Sequence, residues 1–142
     1  MTRPSRLVLV AAALAAAIAT AALAAAGPGQ QAVLAHYAAL AKAADPGFAG
    51  FSAARGQTFF LARHDVSPDT PSCSTCHTTD PTRPGQTRAG KAIDPMAVSV
   101  TPGRFTDPAK VEKWFRRNCD TVLGRECTPL EKGDFIAFMS GR

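Results

Sequence analysis

At 142 residues the chain has room for one small domain, and a domain that size buries only a limited core of its own. Its 16 Lys and Arg against 11 Asp and Glu give a net charge of +5. No Lys/Arg-rich run of the kind that tracks phosphate is present, so nothing in the charge asks for nucleic acid.

The first element reads as a targeting segment. Arg3 and Arg6 form a positive stretch, and Leu7 to Ala26 is an uncharged run rich in Ala and Leu. Ala24-Ala25-Ala26 offers an A-x-A cleavage site before Gly27-Pro28-Gly29. The run is long enough to span a bilayer, so an uncleaved anchor competes with a signal peptide over residues 1–26. Small residues at its end favour cleavage, which leaves a mature domain of residues 27–142, exported to the periplasm and free of the membrane. Loss of Arg3 and Arg6 brings the net charge to about +3.

Residues 31–44, QAVLAHYAALAKAA, predict a helix with Val33, Leu34, Tyr37 and Leu40 on one apolar stripe, ended by Asp45-Pro46-Gly47. A second helix is expected from about Ser52 to Arg63. Gly56 and Phe60 share a face there, and the glycine admits a close neighbour while Phe59 and Phe60 fill the contact.

After a loop over residues 64–72 comes Cys73-Ser74-Thr75-Cys76-His77, the C-x-x-C-H pattern of covalent haem attachment. Two thiols at this spacing reach the two vinyl groups of one haem. The adjacent His77 then donates an imidazole nitrogen to the iron as proximal ligand. A thioredoxin-like dithiol would need a strand–helix setting, but the flanks PDTPS and TTDPTRPG are turn-rich. A zinc site would need a second two-ligand knuckle, but Cys119 and Cys127 are eight apart. In an oxidising compartment a disulfide between those two is the default, worth about 2.5 kcal/mol by loop closure. Two haem propionates would nearly cancel the remaining positive charge.

From Thr78 to Gly103 no period persists, and a long loop is expected, wrapped along a haem edge. Arg83, Arg88 and Lys91 lie in it and can pair a propionate, Arg88 being the one taken forward; solvated loop charges are the plainer alternative. Asp107 as N-cap and Pro108 as first residue open the next helix, expected to end near Asn118, with Val111, Trp114 and Phe115 turned inward. Trp114 either hydrogen-bonds a propionate through its indole N–H or packs in the core. Thr128-Pro129-Leu130-Glu131 reads as a capping box opening the last helix, to about Met139. The fold class expected is all-α, a helical fold around one covalent haem c, with little or no sheet.

The sixth ligand decides the chemistry. His36, His64, Met96, Met139 and Asn118 are the candidates. His36 flanks an apolar stripe, His64 precedes the motif too closely, and Met139 suits core filling. Met96 would make an ordinary His/Met electron carrier, although it lies only 19 residues beyond His77. By its residue type alone, Asn118 is a helix terminus.

The stretches TPSCSTCH, TRPGQTRAGK, RFTDPAKVEKWFRRNC and LGRECTPLEKGD resemble the sphaeroides haem protein class of oxygen-binding cytochromes c, over about half of the chain. The resemblance implies an exported monohaem cytochrome of class I cytochrome c-like helical fold with His and Asn as ferric ligands, the Asn preceding the first cysteine of a disulfide. Carried over, these are His77, Asn118 and Cys119–Cys127. It further implies that the Asn leaves on reduction, that the ferrous iron takes oxygen or nitric oxide, and that a dihaem cytochrome c fed by a membrane b-type cytochrome is the redox partner. Lys110, Lys113, Arg116, Arg117 and Arg125 can steer such a partner, or form a plain solvated face. Conversion of nitric oxide to nitrate is the enzymatic form of this reading. A His/Met carrier and a diatomic-gas sensor or scavenger without turnover are the alternatives.

Overall fold

A computed structural model describes residues 26–142. Its elements are α1 (Pro28–Ala44), α2 (Ala53–Leu61), the single turn α3 (Ser74–His77), β1 (Gly85–Gln86), β2 (Ala92–Ile93), α4 (Pro108–Leu123) and α5 (Pro129–Ser140). The targeting segment, apart from Ala26, lies outside the described residues. Among the described residues no helix is long and apolar enough to cross a membrane.

Proline near the first helical position opens α1, α4 and α5. It costs nothing there, because the missing N–H has no partner in the helix anyway. Asp107 caps α4 by accepting from the Lys110 N–H. At α5 the full capping box forms, with Thr128 accepting from the Glu131 N–H and Glu131 returning to the Thr128 N–H.

The last helix is the centre of the molecule. Its residues from Lys132 to Ser140 are all buried, and α1 and α2 pack against it. Gly56 makes the contact with α2 possible. A Cβ there would run into the Asp134 carbonyl and the Phe138 Cβ, so only glycine lets the two backbones touch. Phe60, one turn on, is fully buried against the rings of Phe135 and Phe138. Burying that ring contributes on the order of 2 kcal/mol. Asp134 then clamps the pair: its buried carboxylate accepts from the Ser52 N–H at 2.6 Å, Arg55 Nε at 2.7 Å and Arg55 Nη2 at 2.8 Å.

Three expectations are corrected. Leu40 is 43 % exposed; the α1 stripe runs on through Ala41, one turn beyond Tyr37, where a small side chain faces the core. Trp114 is 45 % exposed rather than turned inward; the buried face of α4 is Val111, Phe115, Cys119 and Val122, and Trp114 stands on its flank. The helix also runs past Asn118 to Leu123, because Val122 continues the buried stripe. It stops where Gly124 takes a left-handed φ of 67°. Asn118 is therefore a helix-interior residue, and Cys119 belongs to the helix rather than to a loop.

The long loop holds a minimal sheet, β1 antiparallel to β2 with Gly85 opposite Ile93 and Gln86 opposite Ala92. Gly85 is pressed against the Cys76 carbonyl and the His77 Cα. The rest of the loop is tied down by its backbone. Met96 and Ala97 both donate to the Pro81 carbonyl at 2.9 Å, and Val98 donates to the Met139 carbonyl at 3.0 Å.

Candidate haem site

The turn α3 exists because the segments on both sides hold it. The His77 N–H donates to the Cys73 carbonyl at 3.2 Å. Upstream, the His64 N–H closes a loop onto the Pro71 carbonyl at 2.7 Å. Just past that loop Ser72 Oγ sits 2.8 Å from Ser74 Oγ and 3.0 Å from Thr75 Oγ1. Downstream, Gly85 packs on the motif backbone as described. Cys73, Cys76 and His77 are thus presented half-buried on one short turn, and both thiols are unpaired.

Burial sets the protonation of this group. It pushes the His77 imidazole down to about 4, with the Arg104 guanidinium adding to the effect, so the ring is neutral at ordinary pH. It pushes the Cys73 thiol up to about 11. His77 Nδ1 is buried and has no hydrogen-bond partner among the described residues. Arg104, which the sequence reading did not single out, is fixed by Nε on the Pro95 carbonyl and Nη2 on the Asp94 carbonyl.

A second set of residues stands on α4. Trp114 and Asn118 are one turn apart on the same flank, both exposed. The Arg117 guanidinium lies 5.6 Å from the Trp114 ring centroid. Cys119 is joined to Cys127, with Cα atoms 5.6 Å apart. Val66, in the loop leading to the motif, touches the end of this helix: a Cβ on Gly124 would sit 3.2 Å from Val66 Cγ1. Arg88 is engaged elsewhere, 3.0 Å from Asp69 with both side chains largely exposed, at the edge of a cavity of about 560 Å³ lined also by Thr75, Cys76, Thr78 and Gln86.

The other sixth-ligand candidates fall in different places. His36 is exposed and its ring lies 5.3 Å from that of Tyr37. Met139 is fully buried in the core. Met96 is buried too, and its backbone is pinned to Pro81, four residues past His77.

These residues fit a covalent haem. The two unpaired thiols and the neutral imidazole are the donor set that haem c takes. The chain also leaves apolar surface uncovered at Leu61, Val66 and Trp114, which an apolar macrocycle can cover. Among the described residues no group of three or more His, Cys, Asp or Glu side chains is placed to hold a metal ion. Helical fold and attachment motif together define a class I-like c-type cytochrome.

Comparison with known proteins carries this further. Residues 46–139 match the family described as a domain of unknown function, DUF1924. The chain is 56 % identical to the cytochrome c-type protein SHP of Cereibacter sphaeroides over 91 residues, covering 63 % of this chain and 70 % of that protein. It is 37 % identical to cytochrome c'' of Methylophilus methylotrophus over 105 residues, covering 72 % and 73 %. The solved structure of oxidised SHP, described as an oxygen-binding cytochrome c, superposes with a TM-score of 0.72 at 49 % identity, over 82 % of this chain and 98 % of that one. The oxidised cytochrome c'' crystal structure gives 0.69 at 35 % identity, over 78 % and 92 %. The chain belongs to the SHP family of c-type cytochromes, and its cofactor is a covalently attached haem c.

Proposed function

We propose that the protein is an exported monohaem cytochrome c that opens its sixth coordination position on reduction and then takes a diatomic ligand, oxygen or nitric oxide. Cys73 and Cys76 carry the thioether links, His77 is the proximal ligand, and Asn118 is the ferric distal ligand. When bound, the haem supplies an iron that changes oxidation state and accepts small ligands. Asn118 offers an amide oxygen, a hard and weak donor suited to ferric more than to ferrous iron. Once released, its NH₂ group can donate a hydrogen bond to a diatomic in the site. The Cys119–Cys127 disulfide, directly beside it, limits how far the ligand swings. Electrons would come from another cytochrome, steered by the cations of α4. Trp114 and Arg88 are the candidates to meet the propionates, Arg88 by leaving Asp69.

The observation that carries the reading is the position of Asn118. It stands on the open flank of α4 beside Trp114, while Met96 is buried and its backbone is held by the Pro81 carbonyl. Similarity to an oxygen-binding cytochrome c supports the same reading. So does similarity to cytochrome c'', whose solution structure is described in terms of haem-ligand detachment; it superposes with a TM-score of 0.70 at 34 % identity, over 80 % of this chain and 93 % of that one.

The test is the absorption spectrum of the dithionite-reduced protein before and after carbon monoxide. A broad high-spin ferrous spectrum that sharpens with carbon monoxide is expected, along with a ferric spectrum changed by Asn118→Ala and unchanged by Met96→Leu. A sharp low-spin ferrous band indifferent to carbon monoxide would sink the proposal.

A further inference from the structure

Glu112 stands three residues before Phe115 on α4, and Asn118 three residues after it. At 3.6 residues per turn they project roughly 60° to opposite sides of the buried Phe115 ring. One flank of the helix carries Asn118 and is open. The other is fastened. Glu112 Oε2 accepts from the Tyr37 hydroxyl at 2.8 Å, and Lys132 Nζ donates to Glu112 Oε1 at 2.8 Å and to Oε2 at 3.0 Å. Lys132 is itself buried, with 8 % of its side chain exposed, and its ammonium lies 5.6 Å from the Tyr37 ring centroid. One carboxylate therefore joins α4 to both α1 and α5.

We infer that Glu112 is the positioning residue for Asn118: its junction with Tyr37 and Lys132 fixes the roll of α4 about its axis, and that roll sets how readily Asn118 leaves the haem. The inference rests on the reading of Asn118 as ferric ligand. A carboxylate pinned from two helices resists rotation of its own helix. The Phe115 ring, edge-on to Phe135 at 5.5 Å and to Tyr37 at 6.1 Å, provides the pivot. Burial pushes the Glu112 carboxyl upward, but the hydrogen bonds from Lys132 and Tyr37, with the charges of Lys132 and Arg116, outweigh it and hold the group below the usual range. Tyr37, Lys132 and Arg116 are the ionisable groups facing it. The Glu112 carboxylate is therefore ionised throughout the neutral range.

The measurement is the rate at which cyanide binds the ferric holoprotein, which requires Asn118 to leave first. Tyr37→Phe keeps the ring and removes one hydrogen bond, so it spares the fold. It should raise the rate roughly 5-fold, the factor corresponding to one net hydrogen bond. Glu112→Gln should raise it further. Asn118→Ala should bind cyanide fast, and Tyr37→Phe added to it should bring no further gain. If Tyr37→Phe leaves the rate within about twofold of the parent while Asn118→Ala is fast, the positioning role is overturned and the ligand assignment survives. If Tyr37→Phe accelerates binding equally in the Asn118→Ala background, it acts on general access and the inference is overturned. If Asn118→Ala binds cyanide at the parent rate, the ligand assignment itself fails.

Discussion

Phe60, Ile136 and Met139 expose none of their surface, whereas Trp114, Val66 and Leu61 expose 45 %, 53 % and 37 %. The first group lies where α5 meets its neighbours; of the second, Val66 precedes the motif, Trp114 stands on the open flank of α4 and Leu61 ends α2. In one region the chain closes its own interior, with glycines at 56 and 133 letting backbone and ring approach to contact. In the other, α3 has no fully buried residue and large apolar side chains are left uncovered. A domain of this size does not bury enough to be generous with apolar surface. The attachment motif lies in the second region, and haem c is the apolar group that the chain takes from outside.

The strongest way to separate the regions is to damage the closed one. Phe60→Ala should cost about 4 kcal/mol of holoprotein stability by denaturant titration. A loss under about 1.5 kcal/mol would mean that α2 is not part of the core. Next is the disulfide. Cys119→Ser with Cys127→Ser opens a loop with a sequence separation of 8 and should cost about 2.5 kcal/mol. It should also loosen the ferric ligand field, a change that Phe60→Ala has no reason to produce.

The open region is probed more gently. Trp114 is the single tryptophan. If that flank covers the haem, its fluorescence should be almost fully quenched by energy transfer in the folded holoprotein and recover on unfolding; bright emission from the folded state would place the haem elsewhere. The acid limb comes next. The Glu112 carboxyl is held below its ordinary value of about 4.5 in the folded chain. Its contribution is thus fully present above that value and lost as pH falls through the depressed one. Glu112→Gln should flatten acid unfolding over that window, followed by circular dichroism; identical acid limbs would mean that the junction adds nothing to stability. The smallest effect belongs to Arg88→Ala. Its exposed pair with Asp69 should be worth less than about 1 kcal/mol. A shift in reduction potential, measured alongside, would favour a role at a propionate.

Local signals made much of this visible in the sequence. CSTCH carries its own chemistry, Thr128 to Glu131 is a complete cap, and Gly56 beside Phe60 marks a close helix contact. The end of α4 was also legible, in Gly124 after an apolar Val122-Leu123, but an Asn before a cysteine drew the boundary too early. Trp114 reads as inward because i, i+3 spacing places it beside Val111 and Phe115 without saying which edge of the stripe the protein covers. The junction of Tyr37, Glu112 and Lys132 joins residues 75 and 20 positions apart, and no helical period carries that information. Burial of Lys132 and Asp134 hides α5's centrality, since with Glu131 they put three charges near the start of a short helix, which reads as a solvent face.

The Gly56 contact has a consequence in time. With backbone touching backbone and Asp134 bridging to Ser52 and Arg55, α2 and the middle of α5 open together or not at all. Amide hydrogens of Ile136, Ala137 and Phe138 should exchange with solvent only through whole-molecule unfolding. Those of Gly124 and the exposed residues after it, where α4 ends, can exchange through local opening at far lower free energy. One chain would then keep two clocks, a slow one that measures the life of the fold and a fast one that measures the fraying of α4 at its end.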